Sequence, residues 1–156
     1  MNNVTLEPLD HTNWHKVYGL SVSHKQKRYF PIRNVEWIGI SRYEEKTELF
    51  AVKAGDGYVG LVGGGYDEDG VTGYINPLMI DERYQGKGYG RQAMLLMIAY
   101  LREQLHVTKI NIGHRKVNTA AAHLYESLGF RIIGEAGNEY RRQLDFTDER
   151  NDYANS

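Results

Sequence analysis

An apolar stretch ending at Ile80 runs through Asp81-Glu82-Arg83-Tyr84 into Gln85-Gly86-Lys87-Gly88-Tyr89-Gly90-Arg91 and then directly into the apolar helical run Gln92 to Leu101. Few architectures accommodate that order. Glycines at 86, 88 and 90 allow positive φ and a close approach of backbone to a ligand, and the first N–H groups of the helix that follows lack intrahelical partners. With the positive end of the helix dipole, those donors form a cradle for a phosphate or pyrophosphate. No Gly-Lys-Ser/Thr follows, as a P-loop requires, and the third glycine does not stand at the spacing of the dinucleotide-binding fingerprint. Nucleotide hydrolysis and hydride transfer are therefore disfavoured.

The chain has 156 residues, formal net charge -1 and 41% hydrophobic residues, consistent with one folded domain over 1–146 and a polar, frayed tail over 147–156. Near-neutral charge provides no general field for nucleic acid or an anionic membrane, so partners must be selected by a local site. The absence of cysteine rules out disulfides, thiolate zinc sites and an acyl-cysteine intermediate. His11 and His15 lie at i and i+4 without the Glu or third ligand of a zinc site, so no metal is expected. Met1 to Asp10 lacks a charged segment followed by an apolar one, which gives a cytoplasmic expectation.

Pattern and turn chemistry predict a strand at Val4 to Leu6, a helix over His11 to Leu20 capped by Asp10, and a second helix from Asn34 to about Glu45. Between them lies a basic patch, Lys25, Lys27 and Arg28, next to Tyr29, Phe30 and Pro31. Strands are predicted at Glu48 to Lys53 and Tyr58 to Tyr66, joined by Gly55-Asp56-Gly57, and at Val71 to Ile80 after the turn Asp67-Glu68-Asp69-Gly70. Pro77 cannot donate to a ladder and argues for a bulge or an opened edge, with pairing failing near it, and Gly63-Gly64-Gly65 marks either a bulge or a close ligand approach. After the long helix come a strand at Val107 to Ile112, a helix over Thr119 to Leu128 behind Asn118, and strands at Phe130 to Gly134 and Glu139 to Leu144.

This order resembles the GNAT superfamily of acetyl-CoA-dependent N-acetyltransferases, over nearly the whole chain. Gln85-Gly86-Lys87-Gly88-Tyr89-Gly90 matches the signature Arg/Gln-x-x-Gly-x-Gly/Ala, and the segment from Asn118 to Phe130 is similar to the family block Asn-x-x-Ala-x-x-Leu-Tyr-x-x-x-Gly-Phe. Met79 to Gly90 is most similar to the spermidine/spermine and diamine branch. The resemblance implies an α/β fold with a mixed, mostly antiparallel central sheet, splayed at the cofactor site and flanked by helices. It also implies acetyl-CoA as cofactor, a small-molecule amine partner rather than nucleic acid or membrane, and a homodimer as a common assembly.

Amine acetylation needs a grip on the cofactor, an oxyanion donor, a proton acceptor for the amine and a proton donor for the thiolate. Backbone N–H groups over Gln85, Gly86, Lys87, Gly88, Tyr89, Gly90 and Arg91 would hold the pyrophosphate, with the Lys87 and Arg91 charges at its periphery. Freed backbone groups of Met79 and Ile80 would pair with the pantetheine arm, and the N–H at or beside Ile80 would receive the oxyanion. Ala121, Leu124, Tyr125 and Leu128 share one helix face by spacing. The resemblance makes Tyr125 the general acid and gives Asn118 an amide contact to pantetheine besides its cap.

A polyamine nitrogen is lysine-like, with a pKa of about 10.4, so only roughly one molecule in a few thousand is neutral at pH 7 and a base or water chain is required. Acidic candidates are Glu36, Asp67, Glu68, Asp69, Asp81 and Glu82, with Glu36, Asp81 and Glu82 taken as the substrate-binding set. Lys25, Lys27 and Arg28 occupy a segment that in this family helps line the acceptor site, where they would repel a polycation. Aminoglycosides, amino acids and peptide N-termini stay open as acceptors, as does a noncatalytic acyl-CoA-binding module.

Overall fold

The structure, a computed structural model, describes residues 3–29, 33–43 and 47–147. Phe30, Pro31, Glu44, Glu45 and the tail from residue 148 lie outside them, as does the side chain of Arg28. Among the described residues seven strands form one sheet: β1 (Val4–Pro8), β2 (Glu48–Ala54), β3 (Gly57–Tyr66), β4 (Thr72–Ile80), β5 (Lys109–Arg115), β6 (Arg131–Ala136) and β7 (Glu139–Asp145), in the order β1-β2-β3-β4-β5-β7-β6. Only β4 and β5 pair in parallel; every other neighbouring pair is antiparallel. The mixed, mostly antiparallel sheet expected from the resemblance is therefore present.

Helices cover both faces. On one face α3 (Tyr89–Glu103) and α4 (Thr119–Ser127) bury Met94, Met97, Leu101, Tyr125 and Leu128 against Phe50, Val52, Val62, Ile110 and Leu144. On the other, α1 (Trp14–Val17) and α2 (Asn34–Tyr43) pack Val17, Trp37 and Ile38 against Leu49, Ala51, Leu61 and Met79. Consecutive residues of β2 thus serve two cores, which is why this strand reads as a continuous apolar run rather than an alternating one.

The first helix is shorter than the residues His11 to Leu20 predict. Asp10 does not cap it: the Asp10 carboxylate accepts from the Thr12 backbone N–H at 2.8 Å, and its own N–H donates to Asn13 Oδ1 at 2.9 Å. These side-chain-to-backbone bonds satisfy the segment locally and compete with helix formation. Asn34 is likewise not a cap. Its Nδ2 donates to Val17 O at 2.8 Å and Leu20 O at 3.3 Å, tying α2 to the end of α1.

The sheet opens between β4 and β5. Their parallel pairing covers only Thr72 to Tyr74 opposite Lys109 to Asn111, after which β4 follows β3 and β5 follows β7. The pairing therefore ends at Tyr74, three residues before Pro77. The proline sits at a bulge with β3, one of the two arrangements expected of it, where Asn76 and Pro77 face the single residue Gly63. Gly63 is required there, because an added Cβ would lie 2.6 Å from Leu49 Cδ2 and 3.1 Å from Pro77 Cδ; at Gly64 it would meet Tyr74 O at 2.4 Å. At this glycine run the close approach is made by the chain's own packing.

Candidate active site

The glycine loop is held by its neighbours in sequence and by a distant one. Asp81 accepts from the Arg83 N–H at 3.0 Å, from Arg83 Nε at 2.8 Å and from the Ser21 N–H at 3.1 Å. Burial pushes this carboxyl upward, but the hydrogen bonds and charge of Arg83 and the Ser21 bond outweigh it, and it settles below the usual carboxylate range. Gln85 Nε2 donates to Ile80 O at 2.8 Å and to Gln26 Oε1 at 3.0 Å. Gly86 (φ 77°) and Gly88 (φ 84°) take the left-handed conformation, and a Cβ at either would point into open space. Gly90 does not: it lies in the first turn of α3, with Ile80 Cγ1 3.7 Å from where its Cβ would stand. The bond from Gln92 N–H to Gly88 O, 3.1 Å, opens the helical ladder, leaving the N–H groups of Tyr89, Gly90 and Arg91 at the mouth of the loop. The cradle thus fits a phosphate.

Lys87 is exposed on this loop, whereas Arg91 Nη1 donates to Ser127 Oγ at 2.7 Å and links α3 to the end of α4. Along β4 the register fixes which backbone groups face the opening. Asp81 N–H donates to Val59 O at 2.8 Å, so by alternation Met79 directs its polar groups to β3 while Leu78 and Ile80 present theirs to the gap. Met79, expected beside Ile80 at the pantetheine arm, faces the other way with its side chain in the core under α1 and α2.

Across the gap stands α4. Asn118 Oδ1 accepts from Ala121 N–H at 3.3 Å, the cap expected from the sequence, and Tyr125 is buried one turn further on. Two lobes meet between the walls. One of about 290 Å³ lies over Gly86, Gly88 and Gly90; the other, of about 580 Å³, lies between β4 and β5 and includes Trp37, Tyr74 and Tyr140. Tyr29, Leu78, Asn118, Ala121 and Tyr125 line both. Burial alone pushes the Tyr125 hydroxyl up to about 12, so it remains a proton donor at neutral pH.

The carboxylates expected at the substrate do not gather here. Glu36 is paired with Arg33 at 2.8 Å on the surface, Asp81 is committed to the loop, Glu82 is exposed, and none of the three lines either lobe. Asp69 staples its own turn through Val71 and Thr72. Asp67 does line the larger lobe, together with Glu139, which the sequence reading missed because nothing local brings β7 to this cleft. Lys25 and Lys27 line neither lobe, but Arg115 and Arg141 line the larger one.

Residues 10–130 match the Acetyltransferase (GNAT) family. A spermine/spermidine N(1)-acetyltransferase of Bacillus subtilis (strain 168) is 36% identical over 87 residues, covering 54% of this chain and 52% of that protein, so the chain matches about half the length of its curated relative. Among solved structures, spermidine N-acetyltransferase from Vibrio cholerae in complex with CoA and spermine superposes with TM-score 0.77 at 20% identity, covering 93% of this chain and 96% of that one. Campylobacter jejuni N-acetyltransferase PseH in complex with acetyl coenzyme A gives TM-score 0.66 at 17% identity, over 91% and 98%. A family match spanning both the glycine loop and the Asn118 to Phe130 block, on a sheet that opens between them, shows that this chain belongs to the GNAT acetyltransferase family.

Proposed function

We propose that the protein transfers an acetyl group from acetyl-CoA to a primary amine, with a polyamine or diamine such as spermidine as acceptor, by direct attack in a ternary complex. The observation that carries this reading is the placement of Tyr125 on the wall common to the two lobes. The donor's pyrophosphate sits at the N–H groups of Gln85 to Arg91, and its pantetheine arm lies along Leu78 and Ile80 opposite Asn118 and Ala121. The amine enters from the larger lobe. The outward N–H of Leu78 or Ile80 stabilises the oxyanion, and Tyr125 protonates the departing thiolate.

Support for the polyamine comes from the similarity to spermine/spermidine and spermidine N-acetyltransferases and from the lobe itself. Tyr29, Trp37 and Tyr74 line the lobe with aromatic surface suited to an alkylammonium chain, and Asp67 and Glu139, the latter 3.8 Å from Arg115, supply negative charge. Among the described residues no hydrogen bond or ion pair joins a carboxylate to Tyr125, so the amine proton leaves through water in the open lobe. A second reading rests on Arg115 and Arg141, which line the same space and would favour an amine that also carries an acidic group, such as an amino acid.

Thiol release from acetyl-CoA, measured across polyamines, aminoglycosides, amino acids and peptides, tests both. The polyamine reading expects spermidine or a diamine to exceed glutamate and neutral amino acid amides in kcat/KM, with a loss at high salt as the acidic groups are screened. Preference for an acidic amine transfers the assignment to the second reading. Tight coenzyme A binding without turnover on any amine would replace both with a binding module.

A further inference from the structure

The Tyr125 ring lies between two others, His114 with centroids 5.8 Å away and Phe130 at 6.0 Å. One side chain is bonded to both flanks. Arg142 on β7 donates from Nε to His114 Nε2 at 2.9 Å and from Nη1 to Phe130 O at 3.1 Å. It is 6% exposed, and among the described residues no carboxylate pairs with it. A buried guanidinium without a counter-ion is costly, and these two acceptors offset only part of that cost.

The bonds also fix the state of His114. A guanidinium only donates, so Nε2 must be unprotonated; the Arg115 carbonyl only accepts, so the Nδ1 atom 2.8 Å from it carries the proton. His114 is thus neutral in a single tautomer with both nitrogens engaged. It lines the larger lobe, yet cannot take the substrate's proton without losing its bond to Arg142. Among the described residues, ionisable groups packed near the ring include Tyr125 from α4, Tyr140 from β7, and the neighbouring Arg115 with its partner Glu139 at 3.8 Å.

We propose that Arg142 is a positioning residue for acetyl transfer: by bonding His114 and Phe130 at once, it fixes the two surfaces that hold the Tyr125 ring and so places the hydroxyl at the wall shared by the lobes. Release of Arg142 frees the imidazole to rotate and loosens the Phe130 backbone, while the cofactor loop is untouched. The inference rests on the reading of Tyr125 as the proton donor.

Two measurements on the full chain test it. Nitrogen-15 NMR of the unaltered protein at neutral pH should show His114 as the Nδ1–H tautomer; an Nε2–H tautomer or an imidazolium overturns the proposal without any variant having to fold. Kinetically, Arg142→Met should lower kcat about ten- to a hundredfold with the KM for acetyl-CoA nearly unchanged, the scale expected for a misplaced catalytic group. Combined with Tyr125→Phe it should lower kcat no further than Tyr125→Phe alone, because the two act through one hydroxyl. Additive losses, or an unchanged kcat in Arg142→Met, overturn the positioning role even if Tyr125→Phe is impaired. An active Tyr125→Phe enzyme instead removes the proton-donor reading itself, and this inference with it.

Discussion

The side-chain amide of Gln85 donates to the carbonyl of Ile80 at 2.8 Å, closing the five-residue path from the strand end to the first loop residue. The same amide reaches Gln26 at 3.0 Å, so one side chain joins the glycine loop to the segment that leads to Tyr29, which lines both lobes. Gln85→Ala should weaken acetyl-CoA binding several-fold in calorimetry while shifting the melting temperature little, since exposed hydrogen bonds contribute only about 0.5–1.5 kcal/mol each. A large stability loss with unchanged affinity would make Gln85 a fold residue only.

At the cradle, Gly88→Val should raise the acetyl-CoA dissociation constant far more than Lys87→Ala. Valine at φ 84° is strained, and its side chain would enter the open space over the loop, whereas Lys87 adds an exposed, partly screened charge. Titration of both variants decides it, and a weaker Lys87→Ala would invert the picture of backbone recognition.

Asp81 links stability to pH. Its carboxyl is held below the ordinary value, so the stabilisation is complete above the unfolded carboxylate range and disappears as pH falls through the lowered folded value. Asp81→Ala should cost about 1–3 kcal/mol at pH 7, because the Ser21 N–H loses its acceptor. Chemical denaturation at pH 7 and at pH 3 should show the gap between variant and parent narrowing in acid.

For Tyr125, removal of the hydroxyl in Tyr125→Phe keeps the ring packed between His114 and Phe130. Acetyl-CoA should still bind, and kcat should fall about 10² to 10⁴, the usual worth of general acid catalysis. Because the folded value is raised to about 12, an unfolded tyrosine ionises first, and stability conferred by the neutral form is lost as pH rises from about 10 towards 12. The phenylalanine variant should lack that alkaline component in a denaturation series.

The chain's local chemistry determined the parts that depend on near neighbours. Gly86 and Gly88 demanded positive φ and Asn118 capped the helix carrying Tyr125, because turn and cap chemistry act within a few residues. What lay beyond reach was set by pairings distant in sequence. Only the sheet order β5-β7-β6 brings Arg142 to His114 across 28 residues, and only the docking of the α1 segment gives Asp81 to Ser21 across 60. The acidic residues near the glycine loop therefore suggested substrate contacts, whereas tertiary structure assigned Asp81 to holding the loop and brought Asp67 and Glu139 to the larger lobe. A charged side chain's role depends on which donors the folded backbone leaves within about 3 Å of it, and that distance is set by strands meeting, not by their spacing along the chain.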